Sequence, residues 1–310
     1  MAGVFIAVAL AVSAYLIINY TRMTNGYSSL WFLAVLPAFL SALICYIGDP
    51  KRTQGSALYW LVPPVLVATV AAGSVWFLRE GIICLIMLSP IWLISGWAGA
   101  FILRRVRGKP VDTGVFRSSL LLLPLLAGLA ENSLTFAPQD FTVTRHAEVD
   151  ARPQDIWPYI VSNPHIAPSE GRWTFSQNIV GLPRPSATVM NGMGRGAIRT
   201  AYWGDHIHFD EVITGWQPGH RLAWDFRFTN TSLQDYTDRH ISPDGPILKV
   251  ASGEYRFERL ASGKTRVTLS TRYTAKTHVN LYAALWGELF LGDVQNNILG
   301  VVKDRAERGA

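Results

Sequence analysis

The first third of this 310-residue chain contains four long stretches with no charged side chain: Met1 to Tyr20, Ser28 to Gly48, Gly55 to Leu78 and Gly81 to Leu103. Each is long enough to cross a hydrocarbon layer of roughly 30 Å, which takes about 20 helical residues. A single run of this kind fits a buried core helix, but four in succession specify a membrane block. Tyr20, Tyr27, Trp31, Tyr59, Trp60 and Trp76 fall near their ends, where amphipathic rings favour the headgroup layer. The first run lacks the basic leader of a signal peptide and is longer than its usual apolar core, so it is expected to stay as a helix.

A fifth candidate, 116–136, is less regular. Only Ser118 to Ala130 is uncharged, and Pro124 lies in its middle. It spans if Arg117 snorkels and the helix runs on to Phe136; otherwise it lies in the interface. The expected membrane domain is therefore 1–136, with four or five helices at 1–20, 28–48, 55–78, 81–103 and 116–136, followed by a soluble domain over 137–310.

Charge supports the division. Up to Phe136 there are nine basic and four acidic residues, leaving 19 and 18 for the remainder, so the formal charge of +6 is mostly membrane-flanking. A basic face on a folded domain is absent from this pattern, and nucleic acid is not expected as a partner. Lys51, Arg52, Arg104, Arg105, Arg107, Lys109 and Arg117 share one side, against Arg22 and Arg79 on the other. The positive-inside rule puts the N-terminus and the Arg104 to Arg117 loop in the cytoplasm of what is expected to be a bacterial inner membrane. Five spans then make the soluble domain extracytoplasmic; four make it cytoplasmic. The four clear spans carry no ionisable residue of the kind that marks a transport path, so they read as an anchor or platform.

Beyond Phe141 the period changes. Phe141 to Asp150 reads as a strand, and Pro153 opens a helix containing Ile156, Trp157, Ile160 and Val161. A glycine- and proline-rich passage, Ser169 to Gly196, reads as turns and a short irregular segment. Strands are then expected over Ala197 to Trp203, His206 to Trp216, Arg221 to Phe228, Lys249 to Leu260 and Thr265 to Thr277. Turns such as Gln217-Pro218-Gly219 and Ala261-Ser262-Gly263 join them. The final helix, about Asn280 to Ala306, carries an apolar stripe of Leu281, Leu285, Leu289, Leu291, Val294, Ile298 and Val301.

These features carry a resemblance. The entry Val149-Asp150-Ala151-Arg152-Pro153-Gln154-Asp155-Ile156-Trp157, the turn from Trp216 to Trp224, the hairpin from Gly253 through Leu260 to Leu269 and the closing helix are similar to the START-like, polyketide-cyclase (SRPBCC) superfamily. The similarity covers Phe141 to Glu307, while the membrane region resembles no recognised family. The resemblance implies a helix-grip domain of α+β class, a curved antiparallel sheet around a long C-terminal helix, with a cavity for a lipid, isoprenoid or polyketide-like ligand. The implied cavity residues are Arg199, Glu211, Trp224, Phe226, Phe228, Tyr255, Phe257, Thr271, Tyr273, Leu285 and Leu289.

Strand parity supports the aromatic part of that wall independently, since Trp224, Phe226 and Phe228 share a face, as do Tyr255 and Phe257. Glu211 shares parity with Ile207, Phe209 and Ile213 and is expected to point inward, where a carboxylate needs a partner. Arg199 on the preceding strand is the expected one; contact with a ligand or acid–base work are the alternatives. His206 and His208 are spaced to share a metal on one strand face, but their apolar neighbours turn them outward, and neither metal nor cofactor is expected. No cysteine lies in the soluble part, and there is no nucleophile elbow or phosphate loop. Met190 to Gly196 and Asn230 to Pro246 read as loops or lids. The leading expectation is a membrane-anchored binding protein for a hydrophobic small molecule. The alternatives are a cyclase- or hydratase-type enzyme using Glu211, Tyr255 or Arg199, and a subunit of a membrane complex with an unidentified membrane-protein partner.

Overall fold

A computed structural model of the chain describes residues 29–78, 82–107, 131, 136–236 and 241–309. It divides into two units, Met1–Ala137 with Thr277–Val279, and Pro138–Lys276 with Asn280–Ala310. The expected first span, 1–20, lies outside the described residues, as does 116–136 apart from Glu131 and Phe136.

The first unit contains α1 (Leu36–Gly48, entered through a π-helical turn at Trp31–Val35), α2 (Ser56–Gly73, continued by a second such turn at Ser74–Leu78) and α3 (Ile82–Val106). Trp31–Gly48, Ser56–Trp76 and Ile82–Val106 are long and apolar enough to cross a membrane. Their shared core is built from Leu40, Tyr59, Leu66 and Trp92, and large apolar side chains such as Leu61, Ile94 and Ile102 face outward. Close approach of α1 and α3 rests on small residues. A Cβ on Gly99 would lie 2.7 Å from the Cα of Ala38, and one on Gly96 would lie 2.8 Å from Ser41 Oγ.

The α1–α2 loop is stitched to the end of α3. Asp49 accepts from the amides of Thr53 (2.8 Å) and Gln54 (3.1 Å) and from the Tyr59 hydroxyl (3.1 Å). Arg107 donates to the carbonyls of Asp49 (2.9 Å) and Pro50 (2.8 Å). The Glu131 carboxylate accepts from the free amides of Leu30 (2.5 Å) and Trp31 (2.7 Å) at the start of a helix, where a negative charge is stabilised. It also meets His278, whose ring lies tilted against that of Phe136 with centroids 4.2 Å apart.

In the second unit the order is β1 (Gln139–Val149), α4 (Pro153–Val161), α5 (Phe175–Asn178), β2 (Pro185–Asn191), β3 (Ile198–Trp203), β4 (Ile207–Gln217), β5 (Arg221–Arg227), α6 (Ser232–Tyr236), β6 (Leu248–Arg259), β7 (Thr265–Ala275) and α7 (Asn280–Gly309). The strands form one antiparallel sheet in the order β1-β7-β6-β5-β4-β3-β2, and α4 and α5 carry the chain from one edge to the other. Register shifts between Ile213 and Gly215 and between Val250 and Ser252 mark irregularities of the kind that bend a sheet. With the 30-residue α7 against it, this is the helix-grip fold.

Two expectations change. The passage Ser169 to Gly196 is not wholly irregular: α5 is capped by Thr174, whose side chain accepts from the Gln177 amide, and Pro185–Asn191 is the edge strand β2. A proline starting an edge strand withdraws no donor the sheet needs, which is why it fits there. Met190 to Gly196 is accordingly the end of β2 and the turn into β3, with Gly192, Gly194 and Gly196 at φ near +85°. The second change concerns α7. Its buried residues are Gly292, Gln295, Asn297, Leu299, Gly300, Val301, Val302 and Ala306, whereas Leu281 and Leu285 of the expected stripe are exposed.

Candidate functional site

Antiparallel pairing sets Arg199 on β3 directly opposite Glu211 on β4. Both side chains share the buried face with Ala201, Phe209 and Ile213, and they are only 3% and 5% exposed. Arg199 donates through Nε to Glu211 and through Nη1 to the carbonyl of Ile160. That carbonyl is in the last turn of α4, where unpaired acceptors favour a cation. Burial pushes the Glu211 carboxyl above its ordinary pKa, and the Arg199 guanidinium opposes the rise.

The guanidinium lies 4.5 Å from the centroid of Trp224 and 5.7 Å from that of Tyr255. The two rings are 5.4 Å apart. Burial pushes the Tyr255 hydroxyl up to about 12, so the phenol is neutral at ordinary pH. Trp224 rests on β6 at Gly253, where a Cβ would fall 2.9 Å from the indole Nε1. A glycine inside a strand that lets another group lie against the backbone is the signal that sequence reading passed over here.

The remaining expected residues do not all join this centre. Phe226 and Phe228 are half-buried and pack with Phe209, at 5.8 and 5.7 Å. Phe257 turns toward Trp157 of α4, 6.0 Å away, which itself meets Trp216 edge-on. Tyr273 stacks on Phe141 and runs under α7 at Gly287, where a Cβ would lie 2.7 Å from the Tyr273 Cζ. Thr271 is buried, Leu289 is half-buried, and Leu285 is 69% exposed and so lines no closed cavity.

Sequence reading missed Gln295. This α7 side chain is 2% exposed and donates through Nε2 to the Val143 carbonyl (3.1 Å) and to Thr271 Oγ1 (2.9 Å). Its signal was weak: a glutamine among leucines reads as the polar face of an amphipathic helix. His208 is exposed, stacked 6.1 Å from Tyr202, and among the described residues no group of three or more His, Cys, Asp or Glu side chains could hold a metal. A separate polar cleft of about 400 Å³ is lined by Asp150, Arg152, Asp155 and Arg259. Its charges are engaged locally, Arg152 with Asp155 at 2.8 Å and Arg259 with the Ala151 carbonyl at 3.1 Å.

Chemically, the centre is a buried cation held by a carboxylate and a helix end, with aromatic faces around it. No family model matches the chain, and no curated protein matches it. Among solved structures it is similar to the ZhuI aromatase/cyclase of a Streptomyces species, at 14% identity over 55% of this chain and 95% of that one, TM-score 0.35. It is also similar to norcoclaurine synthase from Thalictrum flavum, at 12% identity over 55% and 97%, TM-score 0.33. A third is the di-domain aromatase/cyclase BexL, at 16% identity over 69% of this chain and 63% of that one, TM-score 0.34.

Proposed function

We propose that this chain is a membrane-anchored START-like protein that binds or passes on a hydrophobic small molecule, a lipid, isoprenoid or polyketide-like compound, on the concave face of its sheet. The observation that carries the reading is the aromatic wall beside a buried ion pair. The main core lies toward the C-terminal half of α7, with Leu299, Val302 and Ala306 against Ile156, Leu222 and Val267. At the edge of that core, where its Trp224 and Tyr255 meet Arg199, Phe226 and Phe228 are left half-covered. Half-covered aromatics next to a few fixed polar groups suit an amphipathic ligand better than a filled interior does. Glu211 is tied to Arg199, and we assign it the task of holding that guanidinium in place rather than acid–base chemistry.

Residues 1–136 act as the anchor and 137–310 as the binding domain. The outward-facing Leu61, Ile94 and Ile102 suit a hydrocarbon surround, and a tethered domain meets membrane-dissolved ligand at high effective concentration. The bond from Arg52 to the Arg104 carbonyl, 2.5 Å, supports counting those basic residues on one side, taken as cytoplasmic. Native mass spectrometry of the full chain after gentle detergent extraction tests the proposal. A co-purifying apolar compound released on unfolding is expected; an empty protein in repeated preparations overturns it. A reporter fused at Ala310 gives the side of the binding domain, extracytoplasmic for five spans.

A further inference from the structure

Among the described residues, two buried polar atoms between the sheet and α7 have no hydrogen-bond partner: Trp224 Nε1 and Gln295 Oε1. Their side chains are 3% and 2% exposed. Both roles are unambiguous. An indole nitrogen only donates. The Gln295 amide cannot be reversed, because its Nε2 faces the Val143 carbonyl, which only accepts, so Oε1 is left as an acceptor.

The two side chains are anchored on one row of the sheet, Trp224 as a member of it and Gln295 through its bonds to Thr271 and Val143. Trp224 pairs with Gly253, Gly253 with Thr271, and Thr271 with Val143, stepping across β5, β6, β7 and β1. The indole does not stay over its own strand: it lies on Gly253, with Nε1 2.9 Å from where a Cβ would be. The Gln295 amide sits beyond it, over β7 and β1, bonded to Thr271 Oγ1 at 2.9 Å and to the Val143 carbonyl at 3.1 Å. Neighbouring strands are about 4.8 Å apart, a gap that one oxygen making two hydrogen bonds of about 2.9 Å can bridge.

We infer that Trp224 and Gln295 form a subsite for a hydroxyl group, so that the ligand is an apolar alcohol or phenol. Its oxygen accepts from Trp224 Nε1–H and its proton is donated to Gln295 Oε1. A ketone or quinone would satisfy the indole and leave Gln295 unmet; an ammonium would do the reverse. The inference rests on the ligand-binding reading above and adds the chemical class of the ligand. A site with a buried donor and acceptor discriminates strongly against an analogue that lacks the group they bind.

The test uses the full chain in lipid nanodiscs, with empty nanodiscs as the reference, and a matched pair of probes, 2-naphthol and 2-methylnaphthalene. In the native protein 2-naphthol is expected to bind at least about tenfold more tightly. In Trp224→Phe and in Gln295→Met that preference, read as the ratio of the two affinities within each variant, is expected to fall to about threefold or less. A variant that merely disturbs the fold weakens both probes together, and the native comparison needs no variant. Equal binding of the two probes to the native protein overturns the hydroxyl subsite and leaves the ligand-binding reading standing. Binding of neither overturns both.

Discussion

Arg199 and Glu211 face each other across one rung of the β3–β4 ladder, and both are shut away from water. A buried pair adds little net stability over an apolar pair of the same shape, but losing one member strands the other. Glu211→Ala is therefore expected to lower stability by about 3–5 kcal/mol. The double variant Arg199→Met, Glu211→Leu should lose clearly less than either single change. Denaturant unfolding followed by near-ultraviolet circular dichroism measures Glu211→Ala, the double variant and its two component single changes, and a double variant worse than both singles contradicts the argument.

Gly253 is the platform for Trp224. Adding one methyl group at Gly253 places it 2.9 Å from the indole nitrogen and closer still to the six-membered ring, so the ring must shift. Overpacking of this kind costs about 1–3 kcal/mol. Gly253→Ala should lower the melting temperature and alter the aromatic circular dichroism, while Gly73→Ala, with no described residue within 4 Å of its Cβ, should not.

Glu170 accepts from Arg305 at 2.6 and 3.3 Å, and Arg305 also donates to Asn163 Oδ1 at 3.0 Å. The hydrogen bond from Arg305 holds the Glu170 carboxyl below the ordinary carboxylate range. The folded protein thus favours the ionised form, and the stabilisation is complete above an unfolded-state value of about 4.3. It is lost as pH falls below that value and through the depressed one. Glu170→Gln should be less stable than the native chain by about 2 kcal/mol at pH 7, and the two should converge in acid. A difference that stays constant to pH 2 or so would contradict this linkage.

Gly99 sets the spacing of α1 and α3. A Cβ there would lie 2.5 Å from the Ala38 carbonyl carbon, and backbone cannot swing aside as a long side chain can. Gly99→Leu is expected to separate the helices and lower the thermal aggregation temperature of the detergent-solubilised protein by several degrees, roughly the effect of 1–3 kcal/mol. Unchanged aggregation would mean that the helices do not pack through this residue.

Much of the frame is legible in the residues. Charge-free apolar runs specify helices that tolerate hydrocarbon, and three of them are found at 31–48, 56–76 and 82–106. Alternation in Leu222, Trp224 and Phe226 and in Val267, Leu269 and Thr271 identifies strands because side chains on a strand repeat every two residues. The turn at Gly219, with φ +72°, and that at Gly263, with φ +83°, need the left-handed backbone that glycine accepts without strain. β2 escaped because Pro185-Ser186-Ala187-Thr188 lacks hydropathic alternation, and its place depends on pairing with β3 and on the bridge from Thr188 to Asn163.

The sequence by itself determined the apolar helical runs, the succession of strands from β3 to β7 before a long helix, and the inward parity of Glu211, since these follow from local hydropathy and period. Tertiary structure alone decided which surface of α7 is buried. Gly287 and Gly292 let the helix come close to Tyr273 and Arg145 of the sheet and Gln295 hydrogen-bonds to it, Gly300 and Asn297 meet the segment around Arg172, and Leu281 and Leu285 were left outside. It also decided where the Trp224 indole lies. That depends on Gly253, 29 residues away in the chain but adjacent across a strand pair, and no local pattern encodes a distance of that kind.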